Sequence, residues 1–349
     1  MSETKKDIRK LNLEDLEKHL ISIGEKPFRA KQVYEWLWKK NAHVFEDMTN
    51  LSKKLRQELD QVFTIDNAEV DLMQKSDDGT IKNAVKLFDG NVVESVLIPT
   101  QTRTTACVSC QVGCSLNCSF CATARLKRMR NLTAAEIVDQ VVLIDKQSRE
   151  YFNRPLSNIV YMGMGEPMMN YNEVVKSIRM ITTPEGLGMS PRRITVSTSG
   201  IPKMIEKLAD ENLKIGLAVS LHSAVEEIRN KIMPFTDKFP LPDLLASLQH
   251  WYDVTKSEIT FEYLVWKGIN DTQADINALV RFCKKVPSKV NLIEYNSIDD
   301  DEFKQADSEV IDAYIEALER NGIVVNVRRS RGKDIDAACG QLANKSIEV

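Results

Sequence analysis

The spacing of hydrophobic and polar positions changes twice along this chain. Over residues 10–63 the apolar positions recur at helical spacing. Leu13, Leu16, Leu20 and Ile23 form one stripe, and Ala30, Val33 and Leu37 form a second, with Trp36 and Trp38 alongside. Such stripes are what helices pack against one another. Gly24 and Pro27 separate the two, and a third helix is expected over 51–62. This predicts a small helical domain whose aromatics serve core packing before any base stacking. From 68 to 99 the period drops to two, with turn signals at Asp78-Gly79 and Asp89-Gly90-Asn91. A three-stranded meander is expected there. Its last strand, Val92-Val93-Glu94-Ser95-Val96-Leu97-Ile98, holds one carboxylate. Glu94 reads either as a solvent-facing residue between buried neighbours or as a general base with a raised pKa.

Beyond residue 103 strands alternate with amphipathic helices. Strands are expected at 105–108, 158–162, 193–197, 214–222, 259–265 and 289–295, with a last one at 323–327. The spacing Thr133-x-x-Glu136 is a capping box opening one helix, and another helix is expected over 308–321. Repeated strand–helix units of these lengths predict an α/β fold, a parallel sheet with helices outside it. Internal repeats and low-complexity tracts are absent.

Chemistry concentrates in one short stretch. Five of the seven cysteines fall between Cys107 and Cys121, and Cys114, Cys118 and Cys121 form C-x3-C-x2-C with Phe120 before the last sulfur. Three thiolates on one loop can hold three irons of a 4Fe-4S cube, where a closed cluster takes four. The remaining iron is then free to grip a small molecule. The alternative is a zinc ribbon pairing Cys107-x2-Cys110 with Cys118-x2-Cys121, but only seven residues separate those pairs, against about fifteen in such ribbons. None of the four histidines, His19, His43, His222 and His250, lies nearby in sequence. Cys110 and Cys283 acquire no role.

Composition adds three constraints. The net charge of −3 and pI near 6.0 argue against indiscriminate nucleic-acid binding. An RNA partner would need charge gathered locally, as in Arg125-Leu-Lys127-Arg128-Met-Arg130 and Arg328-Arg329-Ser-Arg331-Gly-Lys333; such runs are otherwise solvated faces. There is no apolar run of about eighteen residues to span a membrane. The N-terminus, Met-Ser-Glu-Thr-Lys-Lys-Asp, lacks a secretory core, so a cytoplasmic chain with reduced cysteines and no disulfide framework is expected.

The string C-x3-C-x-F-C resembles the signature of the radical S-adenosylmethionine (SAM) superfamily. From Ser115 through Cys-Ser-Phe-Cys-Ala-Thr to Arg130-Asn131-Leu132 it looks like the RlmN and Cfr group, which methylates adenosine in RNA. The likeness extends from Lys26-Pro27-Phe28-Arg29 to Gly340-Gln341-Leu342. Ala124 stands where the family often has glycine, which bears on local loop shape and leaves the sulfurs in place.

This resemblance implies a partial (β/α)6 barrel at 101–331, with a helical, RNA-contacting accessory domain at 1–66 before it. A meander connection at 67–100 and a catalytic-cysteine loop and tail at 332–349 complete the expected organisation. It also implies one 4Fe-4S cluster on Cys114, Cys118 and Cys121. Gly165, Glu166, Ser197, Ser220, Leu221, His222 and Asn296 match the family's SAM contacts by position. Read alone, Gly163-Met-Gly165-Glu166 is a Gly-rich turn, the hydroxyls are helix caps, and His222 is a packing residue or contributes its backbone only.

Cys339 alone would be a structural thiol. In the family scheme its counterpart takes a methyl from a first SAM. A radical from a second SAM activates that methyl, which adds to adenine and bonds protein to RNA. Glu94 matches the proton acceptor, and Cys107 the thiol that attacks Cys339 and releases product as a disulfide. Displacement on the SAM methyl would modify a ring nitrogen, so a ring carbon requires the radical route.

Pro167 and Arg331-Gly332 look like the carbon-2 branch, RlmN, whose targets are adenosine 2503 of 23S rRNA and adenosine 37 of certain tRNAs. The Cfr branch methylates carbon 8. The implied partners are 23S rRNA, tRNA and a flavodoxin- or ferredoxin-type electron donor, with the enzyme a monomer. A zinc-stabilised RNA-binding protein without catalysis is the reading from another class.

Overall fold

The computed structural model describes residues 5–298 and 302–345. A short strand β1 (Lys6–Asp7) precedes three helices, α1 (Leu13–Ser22), α2 (Phe28–Trp38) and α3 (Lys53–Val62), and pairs in parallel with β2 (Phe63–Thr64). Leu16, Leu20, Ala30, Val33 and Leu37 are buried as their spacing predicts, while Ile23 at the end of the first stripe is exposed. Trp38 is buried; Trp36 stays at the surface with the Lys40 ammonium 4.1 Å above its ring.

The meander follows as β3 (Glu69–Lys75), β4 (Ile81–Lys86) and β5 (Val92–Pro99). It is hydrogen-bonded into the core sheet, since β5 pairs antiparallel with β6 (Thr104–Cys107). Next come the ribbon strands β7 (Gln111–Val112) and β8 (Arg130–Asn131), then α4 (Ala134–Phe152), β9 (Asn158–Tyr161), α5 (Tyr171–Thr182) and β10 (Ile194–Thr198). The chain continues through α6 (Pro202–Asp210), β11 (Gly216–Ser220), α7 (Glu226–Ile232), α8 (Leu241–Thr255) and β12 (Ile259–Leu264). It ends with α9 (Gln273–Cys283), β13 (Ser288–Ile293), α10 (Ser308–Arg320) and β14 (Val324–Arg328). The sheet has ten strands in the order β14-β13-β12-β11-β10-β9-β6-β5-β4-β3, parallel from β6 through β14.

The expected α/β core is therefore present, each strand within two residues of its predicted start and end. β4 and β5 depart from the simple alternating picture. They are buried along most of their length because α4 and the C-terminal segment cover both faces. Period two signals a half-buried strand, and here a second cover removes the wet face.

The helical unit is fastened to this core by charge. Arg9 lies 2.7 Å from Asp139 of α4 and 3.6 Å from Asp7, all three buried. Asp139 also accepts the amide of Ala68 at 3.0 Å. Removing one partner leaves the other charge buried alone. Asp139→Ala is expected to cost about 3–5 kcal/mol in urea denaturation of the full chain. The double variant Arg9→Met, Asp139→Leu should recover most of that loss; an Asp139→Ala midpoint equal to that of the parent would contradict the assignment.

Candidate functional site

A cavity of about 230 Å³ opens at the carboxyl ends of the parallel strands. Each contributes lining residues: Cys107 from β6, Tyr161 from β9, Ser197 and Thr198 from β10, Ser220 from β11, Glu262 and Leu264 from β12, Ile293 from β13, Arg328 from β14. Strand ends are where loops can converge on a ligand without disturbing the packed sheet.

The cysteine loop crosses this opening, and buried side chains grip the strand that leads into it. Ser109 exchanges two hydrogen bonds with the Gln140 amide, at 2.9 and 3.1 Å. Asn170 Nδ2 donates to the Cys110 carbonyl at 2.8 Å, and the Glu166 amide donates to Gln111 Oε1 at 2.9 Å. β7 and β8 then pair antiparallel and pinch the neck of the loop that carries Cys114, Cys118 and Cys121. At its far side Ser119 N donates to Ile232 O at 3.0 Å, and the Phe120 ring meets His222 edge-on at 4.7 Å and Trp266 at 5.2 Å. Gly163 and Gly165 let the turn after β9 lie against this strand. A Cβ at 163 would stand 2.8 Å from the Ser109 nitrogen, and one at 165 would stand 2.5 Å from the Gln111 Cβ.

All three thiols of the motif line the cavity. Burial pushes Cys114 up to about 11 and Cys118 well above the ordinary thiol range. Desolvated thiols stay neutral unless a cation takes them as thiolates. Among the described residues no three His, Cys, Asp or Glu side chains converge on one ion. Cys110 is buried and does not line the cavity, so the ribbon quartet is not assembled.

Cys107 and Cys339 line the same cavity. Burial pushes Cys107 up to about 12, with the neighbouring Cys339 adding to the rise and Arg328 opposing it. Cys339 opens onto the cavity yet sits deep among protein groups, and that surrounding protein pushes its thiol up to about 11. Asn296 Nδ2 donates to the Cys339 carbonyl at 3.3 Å, Ala122 N to Gly340 O at 2.7 Å, and Thr123 Oγ1 to Leu342 O at 2.6 Å. The Cys339 segment is thus stapled to the cysteine loop.

Glu94 is 1% exposed, so the solvent-facing reading is corrected: the C-terminal segment lies over its side of the strand. Its carboxylate is 3.2 Å from Lys82 Nζ and accepts the amides of Ala343 and Asn344 at 2.7 and 3.0 Å. It stands outside the cavity lining, behind that segment.

Of the other strand-end residues, Gly165, Glu166, Ser197, Ser220, His222 and Asn296 line the cavity, whereas the Leu221 side chain is buried in the core. Glu166 accepts Ser199 N and Oγ, both at 2.8 Å, and Met168 N at 3.0 Å; burial raises its pKa. Asn296 Oδ1 is buried without a protein partner. His222 has left-handed backbone, φ 55°, and its Nδ1 accepts Leu264 N at 3.2 Å, which assigns the proton to Nε2.

Several contributors went unread in the sequence. Arg328 pairs with Glu262 at 3.1 Å beside the two cavity thiols, and Glu262 also accepts Asn291 Nδ2 at 2.9 Å. Glu262 in Ile-Thr-Phe-Glu-Tyr-Leu is a carboxylate in an apolar strand, the same signal that marked Glu94. Gln140, in a buried row of α4, gave a similar one. The basic runs are largely engaged within the protein: Arg130 with Asp89 and Glu136, Arg331 with Asp78, Lys333 with Glu294.

A barrel-like parallel sheet with this cysteine loop over its strand ends defines a radical SAM enzyme. The radical SAM superfamily model matches residues 108–283, and the model of the ribosomal RNA large subunit methyltransferase N-terminal domain matches residues 6–65. The chain is 69% identical to a probable dual-specificity RNA methyltransferase RlmN of Flavobacterium psychrophilum, over 98% of this chain and 99% of that one. It is 44% identical to the dual-specificity RNA methyltransferase RlmN of Geotalea uraniireducens, over 98% and 97%. A crystal structure of a radical SAM methyltransferase from Sphaerobacter thermophilus superposes with TM-score 0.90 at 39% identity, covering 97% of this chain and 99% of that one. The chain belongs to the RlmN family.

The radical SAM domain takes a 4Fe-4S cluster and SAM. The residues present fit both: three thiols at cluster-ligand spacing line one cavity, and the unpartnered Asn296 oxygen awaits a donor.

Burial, aided by Arg229, lowers the His222 pKa to about 3. Between pH about 6.5 and about 3 the unfolded chain binds a proton here that the folded chain does not, so this site's stability falls as pH falls through that window. Histidine NMR should show His222 neutral with its proton on Nε2 down to pH about 5; titration near pH about 6.5 would contradict the assigned environment.

Proposed function

We propose that this enzyme methylates carbon 2 of adenosine in 23S rRNA and in tRNA, at the two adenosines named above, through a methyl carried on Cys339. The observation that carries this reading is the sharing of one cavity by two sets of sulfurs, Cys114, Cys118 and Cys121 of the motif and Cys107 with Cys339. The first set holds the cluster, which when bound supplies the electron that splits SAM. Glu166 receives the amino group of SAM. The hydroxyls of Ser197 and Ser220, the backbone at Gly165, Leu221 and His222, and the Asn296 amide hold the rest.

The second set does the transfer. Cys339 holds the methyl as a thioether. That methyl gives up one hydrogen atom to the 5′-deoxyadenosyl fragment of a second SAM, and its carbon bonds to adenine with the surplus electron returning to the cluster site. The thioether then tethers the RNA to the protein. Glu94 accepts the ring proton after the 343–344 segment has moved off its carboxylate. Cys107 then attacks the Cys339 sulfur. A sulfur–sulfur bond forms as the sulfur–carbon bond breaks, its electron pair stays with carbon, and protonation yields the methyl product. The enclosed site keeps water from reactive carbon.

The target base must lie in a loop or be unstacked to present a ring edge. A flavodoxin or ferredoxin supplies electrons, and the enzyme works as a cytoplasmic monomer. No helix among the described residues is long and apolar enough to cross a membrane.

Cys339→Ala is expected to abolish methylation, and Cys107→Ala to accumulate a covalent protein–RNA species on denaturing gels. Free turnover by either variant overturns the pairing. Mass spectrometry of the nucleoside tests the position: 8-methyladenosine in place of 2-methyladenosine contradicts the carbon-2 assignment.

A further inference from the structure

Arg229 of α7 is fully buried, yet it has no ion-pair partner among the described residues. Its Nη2 donates to Ser199 O at 2.7 Å, while Nε and Nη1 meet no acceptor. Glu226, on its own helix, acts on it from beyond ion-pair distance and accepts the Leu241 amide at 2.9 Å. Nη2 also lies beside Gly200, and the neighbouring His222 is neutral. A guanidinium buried with no anion in direct contact costs free energy. The fold leaves this positive charge only partly compensated.

That charge faces the cysteine loop. Ser119 N donates to Ile232 O at 3.0 Å, about one turn after Arg229, and Cys118 packs against the apolar cluster that includes Ile232 and Met233. Cys118 is the thiol whose field reaches the guanidinium. Arg229 does not line the cavity. Three thiolates outweigh the charge of an oxidised cubane core and leave an anion, and reduction adds a further negative charge.

We infer that Arg229 is the buried counter-charge of the cluster and sets its reduction potential through space. A fixed cation in a low-dielectric wall stabilises the more anionic, reduced state more than the oxidised one, and net charge is one of the determinants of such potentials. Arg229 touches neither substrate nor reacting atoms. The inference rests on Cys114, Cys118 and Cys121 holding the cluster.

The test is an EPR-monitored redox titration of the anaerobically reconstituted full chain without SAM or RNA. Arg229→Gln keeps a donor for Ser199 and removes the charge. At the parent's midpoint poise its reduced-to-oxidised ratio should fall at least tenfold, which is 59 mV for a one-electron couple. Arg229→Lys should stay nearer the parent. Glu226→Gln, which retains an acceptor for Leu241, should raise the ratio severalfold. A Gln variant at or above the parent potential, or a Lys variant matching Gln, overturns the inference. If Arg229→Gln does not fold, Glu226→Gln decides, and an unchanged potential there overturns it. Parent protein without a cubane would instead refute the cluster site itself, before any comparison of variants.

Discussion

The arrangement depends on one electrostatic constraint: a three-thiol loop in which Cys114 and Cys118 are desolvated and which the protein cannot satisfy by itself. Burial keeps Cys114 and Cys118 protonated in the absence of a cation. The loop nevertheless holds its place through the β7–β8 neck, the Gln140, Asn170 and Gln111 contacts and the Phe120–His222–Trp266 aromatic group. The scaffold is therefore preorganised, and the metal cluster supplies the missing charge. Without such bracing, a loop of this length would carry the entropy of ordering as well.

A second layer closes over the first. The segment after β14 returns across the sheet opening, with Arg331 Nη2 on the Pro99 carbonyl at 2.8 Å and Ser76 Oγ on Asp334 at 2.6 Å. It thereby delivers Cys339 to the cavity that Cys107 already lines. The same segment occupies the Glu94 carboxylate. One short stretch of chain thus both places Cys339 at the cavity and covers the Glu94 carboxylate. The meander has a structural task here, since β4 and β5 provide Lys82 and Glu94 as the wall on which the tail rests.

Much of this was legible in the sequence. The parallel strands followed from alternation of apolar runs with helical stripes, and the α4 start from the Thr133–Glu136 box, which forms with bonds of 3.2 and 2.8 Å. The cysteine spacing marked the loop. What stayed hidden depends on three-dimensional cover. Glu94 could not be placed inside or outside until the C-terminal segment was seen lying on it. Arg328 and Glu262 meet over the strand between them, and Arg229 sits on a helix. Local periodicity gives no account of charges whose surroundings come from other elements. The ion pairs within the basic runs were hidden for the same reason: their acidic partners, Asp78, Glu136 and Glu294, lie on other elements.

The central claim is that three sulfurs leave one metal corner open to a sulfonium, and product analysis reaches it most directly. Anaerobic, cluster-loaded protein mixed with SAM and a strong reductant should yield 5′-deoxyadenosine by chromatography and mass spectrometry, and a Cys118→Ala variant should yield none. A chain that carries an intact cubane and forms no 5′-deoxyadenosine under those conditions would contradict the account.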